Sequence, residues 1–567
     1  MADHKHQWVK RSGIALLILL AIVTVFSVWF HFVTMIRPPE QENIGSTRLK
    51  VENPETDFYR IGSNWLKKSS SGLWEMYIEG KPFDRGVVNG KLARHLIEEQ
   101  EKAFIDQIRE MIPSDFYLRF LKYFIYWFNR GLDKYLTDEY KQEIYGISLS
   151  ASDQFAFIGS NYQRMLNYHS AHDIGHALQD YSLVGCTSFG VWGVKSEDSS
   201  LIIGRNFDFY VGDEFARNKI ICFEKPDDGY GFMMVTWGGM IGTVSGMNEM
   251  GLTVTINAAK SEIPSSARTP ISIVAREILQ YAKNIDEAFT IAKKRETFVS
   301  ESILIGSALD KKAAIIEKSP FTITLVSPDK DYIACANHFQ SDAFAADPLN
   351  RQNMKENASV YRYKRLIQQL GDNTPMDYQE VAAILRDRQG LNGVNIGMGN
   401  EKAMNQLIAH HSIIFMPEKM LVWVSTSPWQ LGSYVCYDLY KIFHNFAGLQ
   451  HKVEITEPDK TIPPDLFLGS TDYKRFIRFR KMRKELKHII RTGQTDVLPG
   501  SFIDEFRASN PMYYEVFDLI GDYYSKNGQW ILAQAAYRHA LFLVIPRWKE
   551  KENIINKLAD CNIKIKN

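Results

Sequence analysis

The chain has 567 residues, which is more than one hydrophobic core usually supports, so two or three folded units are expected. Apolar residues make up 45% and charged residues 23% of the chain, a composition typical of a globular protein. The formal net charge of +1 excludes an overall electrostatic attraction to nucleic acid or to acidic partners, so charge-based recognition has to be local.

The N-terminus carries an apolar segment from Ser12 to Ile36 that contains no acidic residue, lysine or arginine and is long enough to cross a bilayer. Lys5, Lys10 and Arg11 precede it, so the positive-inside rule puts the short N-terminus in the cytoplasm and the catalytic body on the periplasmic or extracellular side. No small-residue cleavage site follows. We interpret residues 1–36 as a cytoplasmic stub and an uncleaved, single-pass signal anchor, with a removed signal peptide as the alternative.

Residues 37–58 are predicted to be a polar linker that is rich in proline and asparagine. Residues 59–185 are predicted to be mainly helical, because apolar residues recur at helical spacing from about Leu92 to Tyr168. An aromatic stripe in this region is typical of a packed core, and contact with an acyl chain or with lipid is the alternative. The stripe consists of Phe116, Phe120, Phe124, Tyr126 and Trp127.

The spacing of apolar residues changes to two after Cys186, in runs such as "SLIIGRNFDFY" and "GLTVTINAA", which predicts antiparallel strands. The helical stretch "PISIVAREILQYAKNIDEAFTIAKK" is followed by strands at "SILIGSA", "AAIIEKS", "FTITLVS" and "YIACANHF". A hairpin is expected to turn at Pro417 and Glu418. Alternating strands and helices over residues 186–450 predict an α+β domain with two packed sheets and helices outside them.

Residues 451–567 are predicted to be helical. The run "YKRFIRFRKMRKELKHIIR" predicts a basic amphipathic helix at the surface, with contact to a membrane surface as the alternative. Its apolar side would carry Phe476, Phe479, Leu486 and Ile490. Farther on, "LIGDYYSKNGQWILAQAAYRHALFLVIP" resembles one tetratricopeptide repeat. One repeat cannot form a solenoid, so we expect a small helical appendage that packs on the body or on a protein partner.

The five cysteines show no metal-binding spacing and nominate no disulfide pair. Cys186, in "LVGCTSFGVWG", would by itself most often be an inert buried thiol. Arg205 and Asp208 follow in "GRNFDF", and their spacing puts them on opposite faces of a strand unless the backbone bends. A bend there would let both side chains reach Cys186, and such irregular backbone is typical of functional sites.

Five motifs follow one another in the order Gly-Cys-Thr-Ser-Phe, Gly-Arg-Asn-Phe-Asp-Phe, "GMNEMGLTVTINAA", "ACANHF" and "SVYRYKRL". In this the chain resembles the N-terminal-nucleophile (Ntn) hydrolases of the penicillin acyltransferase type, which are relatives of the choloylglycine hydrolases. The resemblance covers about Tyr77 to Leu439 and includes "YIEGKPFDRGVVNGKL", which is similar to the segment before the nucleophile in such precursors. It implies a four-layer αββα sandwich.

The resemblance implies that the chain breaks its own bond between Gly185 and Cys186, which makes Cys186 an N-terminal residue. The thiol is then the nucleophile and the freed α-amine the base, since an α-amine with a pKa near ~8 accepts a proton at almost neutral pH. Asp208 would hold that amine. Arg205 and Arg362 match two family arginines near the thiol, where positive charge would lower the thiol pKa and position a polar substrate group.

Asn257 and Asn337 match the family's two site asparagines, whose amides would stabilise the tetrahedral oxyanion. The residues alone leave other roles open: Asn257 as a turn residue, Asp208 as a structural ion-pair partner, and Arg362 as a solvated residue beside Arg365, the other candidate arginine. Their joint occurrence in the family's order favours the catalytic roles.

A group of histidines lies shortly before the nucleophile in "YHSAHDIGHAL" but matches no complete zinc signature, so a hydrogen-bonded helix or a polar pocket wall is favoured. The group contains His169, His172 and His176, together with Asp173. The sequence has no phosphate-binding glycine-rich loop and no basic-aromatic module. We therefore expect no metal, no other cofactor and no nucleic-acid partner.

The function that the resemblance implies is cleavage of a small-molecule N-acyl amide through a thioester on Cys186. The anchor, the aromatic helices and the basic helix favour a lipid-like substrate. One alternative is an acyltransferase that passes the acyl group to an amine or amino acid, because both reactions share their first half. The other is an inactive, membrane-tethered scaffold that docks a partner through its C-terminal helices.

Overall fold

The structure is a computed structural model that describes residues 2–41, 43–111, 114–170, 173, 185–210, 212–262, 266–371, 374–493, 498 and 500–566. Its strands are β1 (Glu52–Glu55), β2 (Phe58–Ile61), β3 (Asn64–Lys68), β4 (Trp74–Gly80), β5 (Thr187–Val191), β6 (Ile202–Phe207), β7 (Ile220–Pro226), β8 (Phe232–Thr236), β9 (Ser245–Asn248), β10 (Leu252–Ala258), β11 (Glu301–Ser307), β12 (Lys312–Lys318), β13 (Ile323–Val326), β14 (Tyr332–Cys335), β15 (His411–Met416), β16 (Leu421–Ser425) and β17 (Tyr434–Asp438).

The helices surround these strands and form both ends of the described chain. They are α1 (Ala2–Thr34), α2 (Pro82–Leu92), α3 (Arg94–Met111), α4 (Asp115–Phe128), α5 (Asp138–Ser148), α6 (Asn161–His169), α7 (Asp213–Arg217), α8 (Ile271–Tyr281), α9 (Ile285–Lys294), α10 (Pro348–Glu356), α11 (Ser359–Gly371), α12 (Tyr378–Leu385), α13 (Leu439–Asn445), α14 (Thr471–Thr492), α15 (Phe502–Ser509), α16 (Tyr514–Lys526), α17 (Trp530–Phe542) and α18 (Trp548–Lys566).

The strands form two sheets. The larger has the order β1-β2-β3-β4-β7-β8-β9-β10-β11-β12-β13, and the smaller has the order β14-β5-β6-β15-β16-β17. The predicted hairpin is confirmed, because β15 and β16 pair antiparallel on either side of Pro417 and Glu418. The strands after Cys186, expected as one antiparallel run, are divided between the two sheets: β5 and β6 belong to the smaller sheet and β7 to β10 to the larger.

Residues 52–80 contribute four strands, β1 to β4, where the sequence pattern indicated a linker and then mainly helix. Strand β4 lies parallel to β7, with Trp74 opposite Ile220 and Gly80 opposite Pro226. The segment before Cys186 is therefore built into the same sheet as the segment after it. Its predicted helices are present as α3 to α6.

The two sheets pack face to face, and helices cover both outer faces. The side chains of β11 illustrate the larger sheet: Leu304 packs between the sheets, whereas Ile303 and Ile305 face a helical layer that includes α2, α5, α6 and α8. Helices α11 and α12 cover the smaller sheet through Leu366 and Val381. This alternation follows from the two-residue period of a strand. The architecture is the predicted four-layer αββα sandwich of the α+β class.

Helix α1 contains a stretch, residues 10–34, that is long and apolar enough to span a membrane. Its C-terminal end meets α4, where the rings of Phe30 and Tyr123 lie 5.9 Å apart and those of Trp29 and Trp127 also lie 5.9 Å apart. The carbonyl oxygen of Thr34 accepts a hydrogen bond of 2.8 Å from Gln163 Nε2 in α6. The apolar stretch of α1 is thereby attached to the helical layer of the body.

The C-terminal helices α14 to α18 share a separate apolar core that also includes Leu407 and Trp429 of the sandwich. The apolar side of the basic helix α14 faces this core, since Phe476, Phe479 and Leu486 are buried. That side is therefore not available to a membrane surface, contrary to the alternative that the sequence left open. Helices α16 and α17 pack on each other, and Tyr537 of α17 lies directly against Gly521 of α16. The tetratricopeptide resemblance of this pair stays a prediction.

Candidate active site

Cys186 lies immediately before β5, and its thiol is buried with the residue only 1% exposed. The Gly185 N–H donates a hydrogen bond of 2.9 Å to the Asp208 carbonyl oxygen. This bond fixes the segment before the cysteine against the end of β6.

Arg205, in the middle of β6, approaches the thiol with its guanidinium group. Its Nη2 lies 3.8 Å from Cys186 Sγ, and its Nη1 donates to the Val244 carbonyl oxygen at 2.7 Å. Nη1 also donates to Ser245 Oγ, and Ser245 Oγ lies 2.8 Å from His411 Nε2. Bonds from several sides therefore fix the guanidinium beside the sulfur.

Asp208 follows β6, which ends at Phe207. The end of the strand supplies the change in backbone direction that the sequence required, because Arg205 and Asp208 are both close enough to act on the Cys186 thiol. Asp208 is fully buried, and its Oδ1 has no hydrogen-bond partner among the described residues. Burial raises the pKa of Asp208 to about 7, although Arg362 and Arg205 act in the opposite direction. One oxygen of this buried carboxyl group thus lacks a hydrogen-bond donor within the described part of the chain.

Arg362, on α11, contacts the backbone of Cys186 rather than its sulfur. Its Nη2 lies 3.5 Å from the Cys186 carbonyl oxygen and also donates to Asn337 Oδ1. Its Nη1 donates to the Glu401 carbonyl oxygen at 2.7 Å. Arg365, the other candidate arginine, instead pairs with Asp387 at 2.8 Å. The structure therefore places Arg362, and not Arg365, at the candidate site.

The two candidate asparagines lie in the same buried region. Asn257, near the end of β10, accepts a hydrogen bond of 3.1 Å from Ser188 and donates to the Cys335 carbonyl oxygen at 3.3 Å. Asn337 donates to the Ala258 carbonyl oxygen at 3.1 Å. In the uncleaved chain each side-chain amide thus already donates one hydrogen bond to a backbone carbonyl.

The thiol pKa departs from the expectation drawn from the sequence. Burial raises the pKa of the Cys186 thiol to about 11, and the charge of Arg205 counteracts only part of that increase. Desolvation of a buried group disfavours its charged form, and in this enclosed site desolvation is the larger effect. The charge of Arg205 lowers the thiol pKa, as expected, but the net effect of the surroundings raises the thiol pKa.

The histidine segment before the nucleophile is described only in part, because His172 and His176 lie outside the described residues. His169 Nδ1 contacts the Met165 carbonyl oxygen at 2.7 Å, and its Nε2 accepts a hydrogen bond of 3.0 Å from the Ile241 N–H. Asp173 accepts a hydrogen bond of 2.9 Å from the Ile271 N–H. Within the described part of the chain, no group of three or more His, Cys, Asp or Glu residues could hold a metal ion.

Sequence reasoning missed three polar side chains at the site. Gln406 donates to the Gly185 carbonyl oxygen at 2.7 Å, and Glu401 pairs through both carboxylate oxygens with Arg547. Gln406 and Glu401 lie in the connection between α12 and β15, and Arg547 lies just before α18. Their positions follow no strand or helix period, so a local pattern gave no signal for them.

Two cavities lie beside these groups. A polar cavity of about 420 Å³ is lined by Gly185, Asn337, Arg362, Glu401 and Arg547, among others. An apolar cleft of about 530 Å³ is lined mainly by hydrophobic side chains. These include Phe104, Met165, Phe209, Phe215 and Trp237. Phe209, which follows Asp208 in the chain, is the lining residue of the apolar cleft that is nearest in sequence to the candidate site.

A family model and two curated relatives match parts of this chain. Residues 194–426 match the family described as acyl-coenzyme A:6-aminopenicillanic acid acyl-transferase. A relative from Archaeoglobus fulgidus, an uncharacterized protein, is 24% identical over 272 residues, which are 45% of this chain and 45% of the relative. The N-acylethanolamine-hydrolyzing acid amidase of Caenorhabditis elegans is 22% identical over 266 residues, which are 45% of this chain and 69% of that enzyme.

Two solved structures are also similar to this chain. The Caenorhabditis elegans N-acylethanolamine-hydrolyzing acid amidase ortholog matches with 16% identity and a TM-score of 0.30, over 41% of this chain and 93% of that one. A mutant conjugated bile acid hydrolase from Clostridium perfringens matches with 14% identity and a TM-score of 0.32, over 47% of this chain and 98% of that one.

The matched segment contains Arg205, Asp208, Asn257, Asn337 and Arg362 and begins shortly after Cys186. The chain spans less than half of the length of the Archaeoglobus relative. The family resemblance drawn from the sequence is confirmed for this region, because residues 194–426, less than half of the chain, match the penicillin acyltransferase-like family model.

Proposed function

We propose that the protein is a self-cleaving cysteine amidase that hydrolyses N-acyl amides through a thioester on Cys186. The observation that carries this proposal is the arrangement around the bond between Gly185 and Cys186. A buried thiol lies 3.8 Å from Arg205 Nη2, next to a buried carboxylate, Asp208, with one oxygen that lacks a donor among the described residues. A freed α-amine on Cys186 would give that oxygen a charged hydrogen-bond donor.

The proposed reaction follows from the groups on the new N-terminus. The α-amine, with a pKa near ~8, takes the thiol proton, and the thiolate attacks the substrate carbonyl carbon. When the tetrahedral intermediate collapses, the amine of the substrate leaves with a proton and the acyl group stays on sulfur. Water then hydrolyses the thioester and releases the acid. Asp208 holds the α-amine throughout, and Arg205 stabilises the thiolate.

Asn257 and Asn337 are the proposed oxyanion donors during turnover. An amide NH2 group carries two N–H donors, and each of these side chains uses one on a backbone carbonyl. The second N–H can donate to the developing oxyanion. Removal of one such donor typically costs ~2.7 to 4 kcal/mol of barrier.

The two cavities support a substrate with an apolar acyl chain and a polar amine portion. The apolar cleft suits the acyl chain, whereas the polar cavity, with Arg362, Glu401 and Arg547, suits the amine portion. A lipid-like acyl chain is favoured because α4 exposes a row of aromatic side chains beside the proposed membrane anchor. That row includes Phe116 (82% exposed), Phe120 (60%) and Tyr123 (55%).

We place the catalytic body on the periplasmic or extracellular side of the membrane. The basic residues Lys10 and Arg11 precede the apolar stretch, which supports this orientation through the positive-inside rule. The apolar stretch is exposed along its length up to the contact with α4. No helix partner covers it among the described residues, which fits a single span in lipid.

Acyl transfer to an amine or amino acid is the second candidate function. It is favoured by the matching family, whose description is that of an acyl-transferase. Hydrolysis and aminolysis share the same acyl-enzyme step and differ only in whether water or an amine attacks the thioester. Product analysis with and without an added amino acid therefore distinguishes them.

The test of the proposal is substitution of Cys186. Wild-type protein should be found as two chains, residues 1–185 and 186–567, and should release fatty acid from a panel of N-acyl amides. Cys186→Ala should stay full length and be inactive, because it has no nucleophile. Cys186→Ser should cleave itself and turn over slowly, because a hydroxyl is a weaker nucleophile.

Intact mass and fatty-acid release measure these outcomes. A Cys186→Ala chain that still cleaves itself and still releases fatty acid would overturn the mechanism. A full-length wild-type chain that also fails to react with a thiol-directed acyl probe would instead support the inactive scaffold, with a protein partner bound through the C-terminal helices.

A further inference from the structure

Gln406 is the polar side chain that contacts the carbonyl group of the bond proposed to break. Its Nε2 donates to the Gly185 carbonyl oxygen at 2.7 Å and lies 3.3 Å from Asp208 Oδ2. Both neighbours are hydrogen-bond acceptors, so the amide NH2, and not the amide oxygen, points at them. The side chain is buried, with the residue 2% exposed. A fixed donor is therefore aimed at this carbonyl before any reaction takes place.

The end of the Gln406 side chain fills the space next to the Gly185 Cα atom. A Cβ atom at Gly185 would lie 2.4 Å from Gln406 Nε2 and 2.6 Å from its Oε1. Real Cβ contacts are never that short, so a larger residue would displace the amide from the carbonyl. Because Gly185 has no side chain, Gln406 Nε2 reaches the Gly185 carbonyl oxygen.

The segment that carries Gln406 is held from both sides. Within it, Asn405 Oδ1 accepts from the Leu407 N–H at 3.0 Å, and the Asn405 N–H donates to the Asp387 carbonyl oxygen at 2.8 Å. The C-terminal region holds the preceding residues, since Asn400 donates to the Val544 carbonyl oxygen at 2.9 Å. The donor is thereby fixed before reaction, which is the condition for effective oxyanion stabilisation.

We propose that Gln406 stabilises the oxyanion that forms on Gly185 when the chain cleaves itself. The step rests on the proposed function. The Cys186 sulfur forms a bond to the Gly185 carbonyl carbon, and the tetrahedral oxygen takes the negative charge beside Gln406 Nε2. The carbon–nitrogen bond then breaks, the thiol proton ends on the departing nitrogen, and a thioester remains. Water hydrolyses it to a Gly185 carboxylate, a free thiol and a free amine.

This assignment gives self-cleavage and substrate turnover different oxyanion donors. The amides of Asn257 and Asn337 donate to the carbonyl oxygens of Cys335 and Ala258, and neither has a hydrogen bond to Gly185. Once Gly185 has left, Gln406 keeps its contact with Asp208, the residue proposed to hold the new α-amine. Gln406 is thus a catalytic residue of self-cleavage. It lies beside the residues that are proposed to catalyse substrate turnover.

The experiment follows self-cleavage over time after synthesis in a cell-free system with membranes, using intact mass and gel analysis. Gln406→Met keeps the length of the side chain but removes the donor, and Gln406→Ala removes both. Gln163→Met is the matched control, because Gln163 is also buried and also donates to a backbone carbonyl oxygen, that of Thr34 and not that of Gly185. Gln406→Met and Gln406→Ala should slow cleavage by ~100- to 1000-fold, the usual loss for one oxyanion donor. Gln163→Met should cleave at close to the wild-type rate.

The outcomes separate this proposal from the proposed function. A wild-type chain that never cleaves would overturn the function itself. A wild-type chain that cleaves, with Gln406→Met and Gln406→Ala cleaving equally fast, would overturn only the role of Gln406. Gln163→Met as slow as Gln406→Met would also overturn it, because the effect would then come from the loss of any buried donor and not from the donor at Gly185. Gln406→Met in a Cys186→Ala background should still unfold in one cooperative transition, with a melting temperature only a few degrees below that of Cys186→Ala because two buried acceptors lose a donor, and this result excludes misfolding as the cause of slow cleavage.

Discussion

Cys186 is a buried, largely uncharged thiol in the continuous chain, because desolvation raises its pKa to about 11. Attack on the preceding carbonyl needs no free thiolate in solution, since the sulfur of a cysteine reaches the carbonyl before it through a five-membered ring. A low-dielectric surrounding also strengthens the hydrogen bonds that Arg205 and Gln406 make at the site. Burial at this residue is therefore compatible with self-cleavage and protects the thiol from other reactions.

Asp208 should make the uncleaved protein less stable as the pH rises. Burial raises its pKa from 3.8 to about 7, so between these values the folded chain holds a proton that the unfolded chain has lost. Stability therefore falls as the pH rises through this window. In a Cys186→Ala background, Asp208→Asn should raise the free energy of unfolding by roughly 2 to 4 kcal/mol at pH 8.

The pH dependence of this increase in the free energy of unfolding tests the raised pKa of Asp208. Thermal unfolding in detergent at pH 5 and at pH 8 should show a larger increase in melting temperature at pH 8, because the Asn side chain does not titrate. An equal gain at both pH values, or a loss at pH 8, would contradict the assignment. In the cleavable protein, the same substitution should slow turnover, since the α-amine loses its charged partner.

At the scale of elements, the segment before Cys186 is part of the sandwich and not a detachable propeptide. Strand β4 fills the position between β3 and β7 in the larger sheet, and its parallel ladder with β7 joins the two sides of the proposed cleavage point. Trp74, Met76 and Ile78 of β4 also lie in the core beneath the helical layer. Loss of this segment would expose both the ladder and the core.

The two chains produced by cleavage should therefore stay together. Size-exclusion chromatography in mild detergent should give one peak that contains residues 1–185 and 186–567, at the same elution volume as the uncleaved Cys186→Ala protein. The chains should separate only in denaturant. Elution of residues 186–567 alone under native conditions would contradict the integrated sheet.

At the scale of the whole molecule, the anchor and the C-terminal helices are attached at different places on the sandwich. The anchor ends against α4 and α6, with Thr34 bonded to Gln163. The C-terminal helices contact the connection between α12 and β15, where Asn510 exchanges two hydrogen bonds with the backbone of Met398, of 3.0 and 2.8 Å. The anchor is thus attached away from the candidate site, whereas the C-terminal region supports the segment that carries Gln406.

Removal of the anchor should change location but not maturation. A chain without residues 1–28 keeps the contacts of Thr34 and Ile36 with the body, so it should cleave itself at the wild-type rate. It should appear in the soluble fraction, whereas the full-length protein should stay with membranes after a carbonate wash. Release of the full-length protein by that wash would contradict the proposed span.

Local patterns in the sequence were sufficient to predict most strands and helices of the sandwich. Alternating apolar residues predicted β11 and β12, because a strand places every second side chain on the same face. The hairpin at Pro417 and the apolar stretch of α1 were likewise readable from neighbours a few positions apart. Cys186 and its five candidate partners came from the resemblance to a family and not from periodicity.

The first four strands and several contacts at the candidate site depend on tertiary structure, and local sequence patterns did not predict them. Strands β1 to β4 are short and lie in a segment with a helical and polar pattern. They join the larger sheet through β4, which pairs with β7, a strand that lies far away in sequence. Gln406 meets Gly185 across 221 positions, and Arg547 reaches Glu401 across 146. No local period brings such residues together, because their distance depends on the order of strands and on how the C-terminal helices pack. The sequence by itself determined the nucleophile candidate and the layers of the fold, whereas tertiary packing decided which donor faces the bond that is proposed to break.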